Sequence, residues 1–174
     1  MRIPPVLAVP ATLALTLLAP AGALATTSAV AAPAPPTCRD SRLAVAATAS
    51  DQPDAVRISI TNRGGTACVV DRIPTVVFGD LDGAAQPVPA SESAPYRLAA
   101  GRSAYAAVRT LDPTSTELRV VDRLTVAGDP SHRGRTFDAA SLGAPDGIRV
   151  WEPVTTWWHP SQAAADAVLE RHTD

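Results

Sequence analysis

The 174-residue sequence contains no lysine, and all fifteen of its basic residues are arginine. Set against seventeen acidic residues they leave a formal net charge of −2, or −3 once Arg2 is removed with a leader. Nucleic-acid binders carry a basic footprint that releases counterions, so a nucleic-acid partner is excluded. Aromatics make up only 4% of the chain, while hydrophobic residues reach 46%. That apolar share is too high for a disordered polyelectrolyte. The ten glycines and seventeen prolines show no collagen period. Internal repeats, heptads and long runs of like charge are all missing.

Chemical signatures are equally scarce. The two cysteines, Cys38 and Cys68, are too far apart for a C-x-x-C redox motif. There is no G-x-S-x-G elbow for acyl transfer, since Gly101-Arg102-Ser103 lacks the second glycine. A zinc site needs three or four close ligands, and His132, His159 and His172 have no short ligand spacing. Asp80-Leu81-Asp82-Gly83 opens like a calcium loop but lacks the glutamate twelve positions along, so it reads as a hairpin turn. No catalytic residue, metal or cofactor is predicted.

What the sequence does have begins with its longest apolar run. Val6–Leu18 is apolar apart from two threonines, follows Arg2, and contains Pro10. At about 13 residues it falls short of the roughly 20 needed to span a bilayer. Small residues at A-x-A spacing follow, as in Ala23-Leu24-Ala25 and Ala29-Val30-Ala31. Residues 1–25 therefore read as a signal peptide, with cleavage possible up to 32; a buried N-terminal helix is the alternative. No twin arginine is present, which favours the general secretory route, and no lipidation pattern precedes Cys38. Residues 26–37 form an Ala/Pro-rich tether. The expected product is secreted, free or cell-wall associated, with no membrane span in the mature chain. In that oxidising compartment Cys38 and Cys68 are expected to pair, two buried thiols being the competing reading. The bridge would close a loop of about 31 residues, worth roughly 3.5 to 4 kcal/mol in the chain-entropy model. The arginine-only, alanine-rich composition is associated with GC-rich bacterial genomes.

From Cys38 the hydrophobic period is two. Leu43 to Ala49 alternates, and Val56, Ile58 and Ile60 oppose Arg57, Ser59 and Thr61, the pattern of half-buried strands. Cys68–Arg72 and Thr75–Phe78 make a third strand, interrupted or ended by Pro74. Gln86–Pro95, with three prolines, reads as an edge strand or loop, and Ser103–Thr110 alternates through Ala104, Ala106 and Val108. Leu118, Val120, Leu124 and Val126 share one phase, with a bulge or kink at Asp122. Ile148–Trp158 is the last strand, Ile148, Val150 and Val154 in phase. Seven to nine short strands predict an all-β, antiparallel β-sandwich over residues 38–158. Residues 159–174 hold a short C-terminal α-helix capped by Ser161, with Ala164, Ala165, Val168 and Leu169 on one face.

These residues carry a resemblance. Cys38 with Leu43-Ala44-Val45, then Thr61-Asn62-Arg63-Gly64-Gly65-Thr66-Ala67-Cys68, Ile73-Pro74-Thr75-Val76 and the Asp80–Gly83 turn are similar to the actinobacterial secreted family of domain-of-unknown-function 4232. The likeness is clearest over residues 38 to 110. It implies an immunoglobulin-like fold, a leader or lipid anchor, a pairing of Cys38 with Cys68, and no established activity. Members commonly carry a second cysteine pair, which this chain lacks.

The densest chemical feature is Trp151, Trp157, Trp158 and His159, which place all three tryptophans within eight positions. On an unbroken strand Trp151 and Trp157 project to one face, unless Pro153 shifts the register. Exposed, they would stack on a sugar or a partner's apolar surface; the favoured expectation is that Val168 and Leu169 of the helix cover them. The three histidines are expected to be solvated, and His132-Arg133-Gly134-Arg135 to be a solvated cationic loop beside Asp129 and Asp138. The resulting functional expectation is a non-catalytic envelope or extracellular module that binds an unknown protein or cell-wall glycan. The alternatives are a hydrolase whose groups meet only in three dimensions, or a protease inhibitor presenting the loop Ala84–Pro95.

Overall fold

In a computed structural model the described residues are 34–90 and 94–172. The expected signal peptide and the tether up to residue 33 lie outside them. The described residues form twelve strands and one α-helix. In chain order the strands are β1 (Leu43–Ala49), β2 (Ala55–Asn62), β3 (Cys68–Val70), β4 (Thr75–Phe78), β5 (Gln86–Val88) and β6 (Tyr96–Leu98). Then come β7 (Ser103–Arg109), β8 (Arg119–Val121), β9 (Arg123–Ala127), β10 (Arg135–Asp138), β11 (Ile148–Val150) and β12 (Val154–Thr156), followed by α1 (Gln162–Arg171). A five-stranded sheet runs β1-β2-β7-β12-β5, a three-stranded sheet β10-β9-β4, and two ribbons pair β11 with β8 and β3 with β6. Every pairing of strands is antiparallel except β12 with β5.

Alternation decides what is buried. Val45, Val56, Ile58, Ile60, Ala104, Ala106 and Val108 of the five-stranded sheet share one core with Val76, Phe78, Leu124 and Val126 of the three-stranded sheet. Cys38 and Cys68 lie in the same core and are joined as a disulfide. Beside it Asn62, 1% exposed, satisfies its whole side chain. Its amide nitrogen donates to the carbonyls of Thr66 and Leu98 at 2.9 and 3.1 Å, and its oxygen accepts from the Gly64 N–H at 2.8 Å. A Cβ on Gly64 would stand 3.0 Å from that oxygen, so the Thr-Asn-x-Gly signature is one hydrogen-bonded turn.

Three runs are each cut in two, two of them at the expected interruptions of Pro74 and Asp122, and with β10 this takes the strand number past the expected seven to nine, to twelve. Pro74 separates β3 from β4, which belong to different sheets. At Asp122 the chain passes from the β8 ribbon to β9; Leu118 and Val120 are 44% and 55% exposed, whereas Leu124 and Val126 are fully buried. Their shared phase therefore does not mean a shared face. The final run breaks at Glu152, whose φ is +46°, a left-handed conformation that no strand can continue through, and at Pro153. β10 has a single apolar residue, Phe137, and pairs as a polar edge with β9; its pattern carries no strand signal. The cationic loop expected at 132–135 is thus shortened, since Arg135 opens β10 and donates from Nη1 to the Val45 carbonyl at 3.2 Å. The loop expected at Ala84–Pro95 contains β5, tied into the sheet by the Gln86 N–H to the Pro153 carbonyl at 2.8 Å.

The helix begins as its sequence predicts, with Ser161 accepting from the Ala164 N–H at 3.3 Å. Its buried residues, Ala165 and Leu169, pack with Ala107, Ala55, Val88 and Val154 on the other face of the five-stranded sheet. Arg57 Nε donates to Asp166 at 3.1 Å across that seam. No indole belongs to this cluster, which corrects the expectation that Leu169 and Val168 pack on the tryptophans. Among the described residues no helix is long and apolar enough to cross a membrane.

Candidate functional site

The four residues singled out by sequence density are separated by local backbone geometry. β12 pairs with β7 through Val154 opposite Arg109 and Thr155 opposite Val108. The pairing resumes at His159 opposite Tyr105, with N–H···O bonds of 2.7 and 2.9 Å in both directions. Three residues, Thr156, Trp157 and Trp158, therefore stand against two, Ala106 and Ala107. This is a β-bulge, and the Thr156 hydroxyl accepts the Ala107 N–H at 3.0 Å, replacing the missing ladder partner. One extra residue reverses the alternation. Trp158, which a regular strand would turn toward the helix with Val154, turns into the main core and is 0% exposed.

Trp157 stays half-buried and is fixed by its indole N–H donating to the Pro89 carbonyl at 3.1 Å. The Arg72 guanidinium lies over its ring at 5.2 Å and over the Tyr96 ring at 5.3 Å, within cation–π range of both. The positions follow from the sheets. Tyr96 is opposite Val70 in the β3–β6 ribbon, Arg72 follows β3 just before Pro74, and the Arg72 carbonyl accepts the Trp158 N–H at 3.1 Å. Arg72 Nε is buried with no hydrogen-bond partner, and so is Nε2 of the half-buried His159. Burial pushes the His159 imidazole below its ordinary 6.5, and the nearby charges of Arg72 and Arg171 push it further. Among the described residues no carboxylate pairs with Arg72.

Trp151 belongs elsewhere. It lies 5.6 Å under the Arg119 guanidinium and lines a cavity of about 260 Å³ with Phe78, Leu81, Val150 and Pro153. Trp151 and Trp157 therefore share no face. A wider cleft of about 580 Å³ lies between Pro53–Val56 and Leu142–Arg149. Its Arg149 and Asp54 are bonded to each other, Nε to Oδ1 at 2.9 Å, so their charge is already spent internally.

The histidines depart from expectation at two positions, His159, half-buried as described, and His132. The side chain of His132 is only 8% exposed, with Nδ1 4.0 Å from an Asp40 oxygen and without a hydrogen bond; it is not solvated. His172 is exposed at the helix end, where its carbonyl accepts from Arg109 Nη1 at 3.1 Å. Asp129 is held below the usual carboxylate range by the Ser131 hydroxyl and N–H, which also keeps it occupied within its own turn.

The structure thus unites Trp157 and His159 with Arg72 and Tyr96, which sequence reasoning did not select. Arg72 ends an apolar run directly before Ile73-Pro74, where the strand must stop and a long side chain is free to fold back. That is the only local signal, and nothing in the sequence pairs it with residues 24 and 85 positions away.

No curated protein and no solved structure matches the chain. The family described as Domain of unknown function (DUF4232) matches residues 38–158, from the first cysteine of the clasp to the buried tryptophan after β12, including the half where the likeness is weaker to the eye. The chain belongs to the DUF4232 family.

Proposed function

We propose that this protein is a secreted, non-catalytic module of the bacterial envelope or extracellular space, of actinobacterial type, that binds a protein or glycan through the Tyr96, Arg72 and Trp157 group. The observation that carries the reading is that a cation and two large rings are gathered at a half-buried surface while no described acid takes up the charge. Rings held in this way give much contact area at small entropic cost. Export is supported by the leader pattern of residues 1–25 and by the disulfide, which suits an oxidising compartment. The sharing of one core by a five-stranded and a three-stranded sheet favours an immunoglobulin-like sandwich as its frame.

The test is expression of the full-length chain in an actinobacterial host. N-terminal sequencing of the extracellular protein is expected to start between residues 26 and 33. The purified protein should sediment with envelope preparations, and the Tyr96→Ala/Trp157→Ala variant should do so at least tenfold less. Retention inside the cell, or equal sedimentation of the variant, would contradict the proposal. Release of soluble sugar or peptide from the envelope would replace it with the hydrolase alternative.

A further inference from the structure

We infer that Arg72 receives an oxyanion, a carboxylate or phosphate, borne by an acidic glycan, with the rings of Trp157 and Tyr96 flanking the sugar. The inference rests on the binding role just proposed and narrows it to a ligand class.

The argument starts from the guanidinium. Its plane is held by two aromatic contacts, at 5.2 and 5.3 Å, and its Nε is buried without an acceptor. Several other arginines spend their charge on carboxylates. Arg57 bonds Asp51 and Asp166, Arg123 bonds Asp80 and Asp122, and Arg149 bonds Asp54. Arg72 has no such partner among the described residues. A guanidinium with fixed orientation loses little freedom on capturing an oxyanion, and its fork matches carboxylate and phosphate geometry. Arg171 adds positive field near the same place, as its effect on His159 shows.

The neighbouring edge separates a glycan from a polypeptide. β5 ends the five-stranded sheet beside Trp157, and an extended peptide would dock there by adding a strand. Gln86 turns its N–H inward to the Pro153 carbonyl, so the alternate position, Pro87, faces the free edge, and beyond the strand Pro89 gives its carbonyl to the Trp157 indole. Neither proline has an N–H, and an edge without donors cannot seed a ladder. Pyranose C–H faces need no such ladder and stack on indole and phenol.

The experiment titrates the full chain with oligogalacturonate, its methyl ester, poly(glycerol phosphate) and poly-glutamate. Tight binding of oligogalacturonate is expected, with at least tenfold weaker binding of the ester. Arg72→Lys, which keeps the charge and loses the fork, should also weaken it at least tenfold. Arg97→Ala, one residue along β6 and exposed, should change it less than twofold. Poly(glycerol phosphate), which has an oxyanion but no pyranose, should bind at least tenfold more weakly than oligogalacturonate; equal binding with the same Arg72 dependence would keep the oxyanion and overturn the glycan. Should Arg72→Lys fail to fold, Trp157→Phe is expected to lose about threefold with an unchanged melting curve. Equal binding of acid and ester, unaffected by Arg72→Lys, would overturn the oxyanion inference and leave glycan binding standing. Poly-glutamate competing as strongly as oligogalacturonate would transfer the site to a polypeptide and overturn the glycan. Silence toward all four probes overturns the inference.

Discussion

The two faces of the five-stranded sheet are closed in different ways. One face meets the three-stranded sheet across a core of branched aliphatics, Phe78 and Trp158, locked at one end by the disulfide. The other is covered by a ten-residue helix that buries only Ala165 and Leu169 against Ala107 and adds the Arg57–Asp166 ion pair. Buried apolar area stabilises at about 25 cal/mol per Å², so the first face should dominate stability. A helix of that length is marginal alone and holds its place through the sheet. Between these faces, at the bulge, the adjacent residues Trp157 and Trp158 have opposite environments. The comparison teaches that one inserted residue divides a structural indole from one available for recognition.

The comparison breaks first at its strongest point. Trp158→Ala should cost about 4 kcal/mol, in the range for emptying a large aromatic core site, read from urea unfolding; a cost near 1 kcal/mol would mean the inner core is not dominant. Removing the clasp with Cys38→Ser/Cys68→Ser should cost roughly 3.5 kcal/mol by loss of loop constraint, by the same measurement. Leu169→Ala on the helix side is expected near 2 kcal/mol, the low end for leucine truncation, because the cluster it belongs to is small and mostly alanine and valine. A value equal to Trp158→Ala would erase the distinction between the faces.

The smallest effect is a pH dependence. His159 titrates below its ordinary 6.5 in the folded chain because it is partly buried and lies near Arg72 and Arg171. Unfolding therefore takes up a proton, so its contribution is fully present above about 6.5 and is lost as pH falls through that value toward the lower folded one. Urea midpoints at pH 7.5 and 5.0 should show a decline that His159→Asn reduces. Asp112 and Asp129, held down by Thr114 and Ser131 bonds, contribute a further loss only when acidification reaches the carboxylate range.

Much of this was legible from period and punctuation. β1, β2 and β7 show alternation in the sequence because each buries one face, and the Ser161 cap and the Cys38–Cys68 pair stand where they were expected. Breaks inside apolar runs were harder to see. A left-handed Glu152 and a bulge at Thr156 leave no compositional mark, since both are imposed by partners distant in sequence. The phase of Trp151, Trp157 and Trp158 therefore could not be counted along the chain. Arg72 and Tyr96 were invisible as a site for the same reason: their contact with Trp157 is created by sheet pairing.

The most direct measurement of the central claim compares Trp157→Ala with Trp158→Ala in both unfolding and oligogalacturonate titration. Trp157→Ala is predicted to keep the unfolding midpoint close to that of the unmodified chain and to lose most of its binding, while Trp158→Ala loses stability. If Trp157→Ala unfolds as readily as Trp158→Ala, or binds undiminished, the division of labour between the two indoles is wrong.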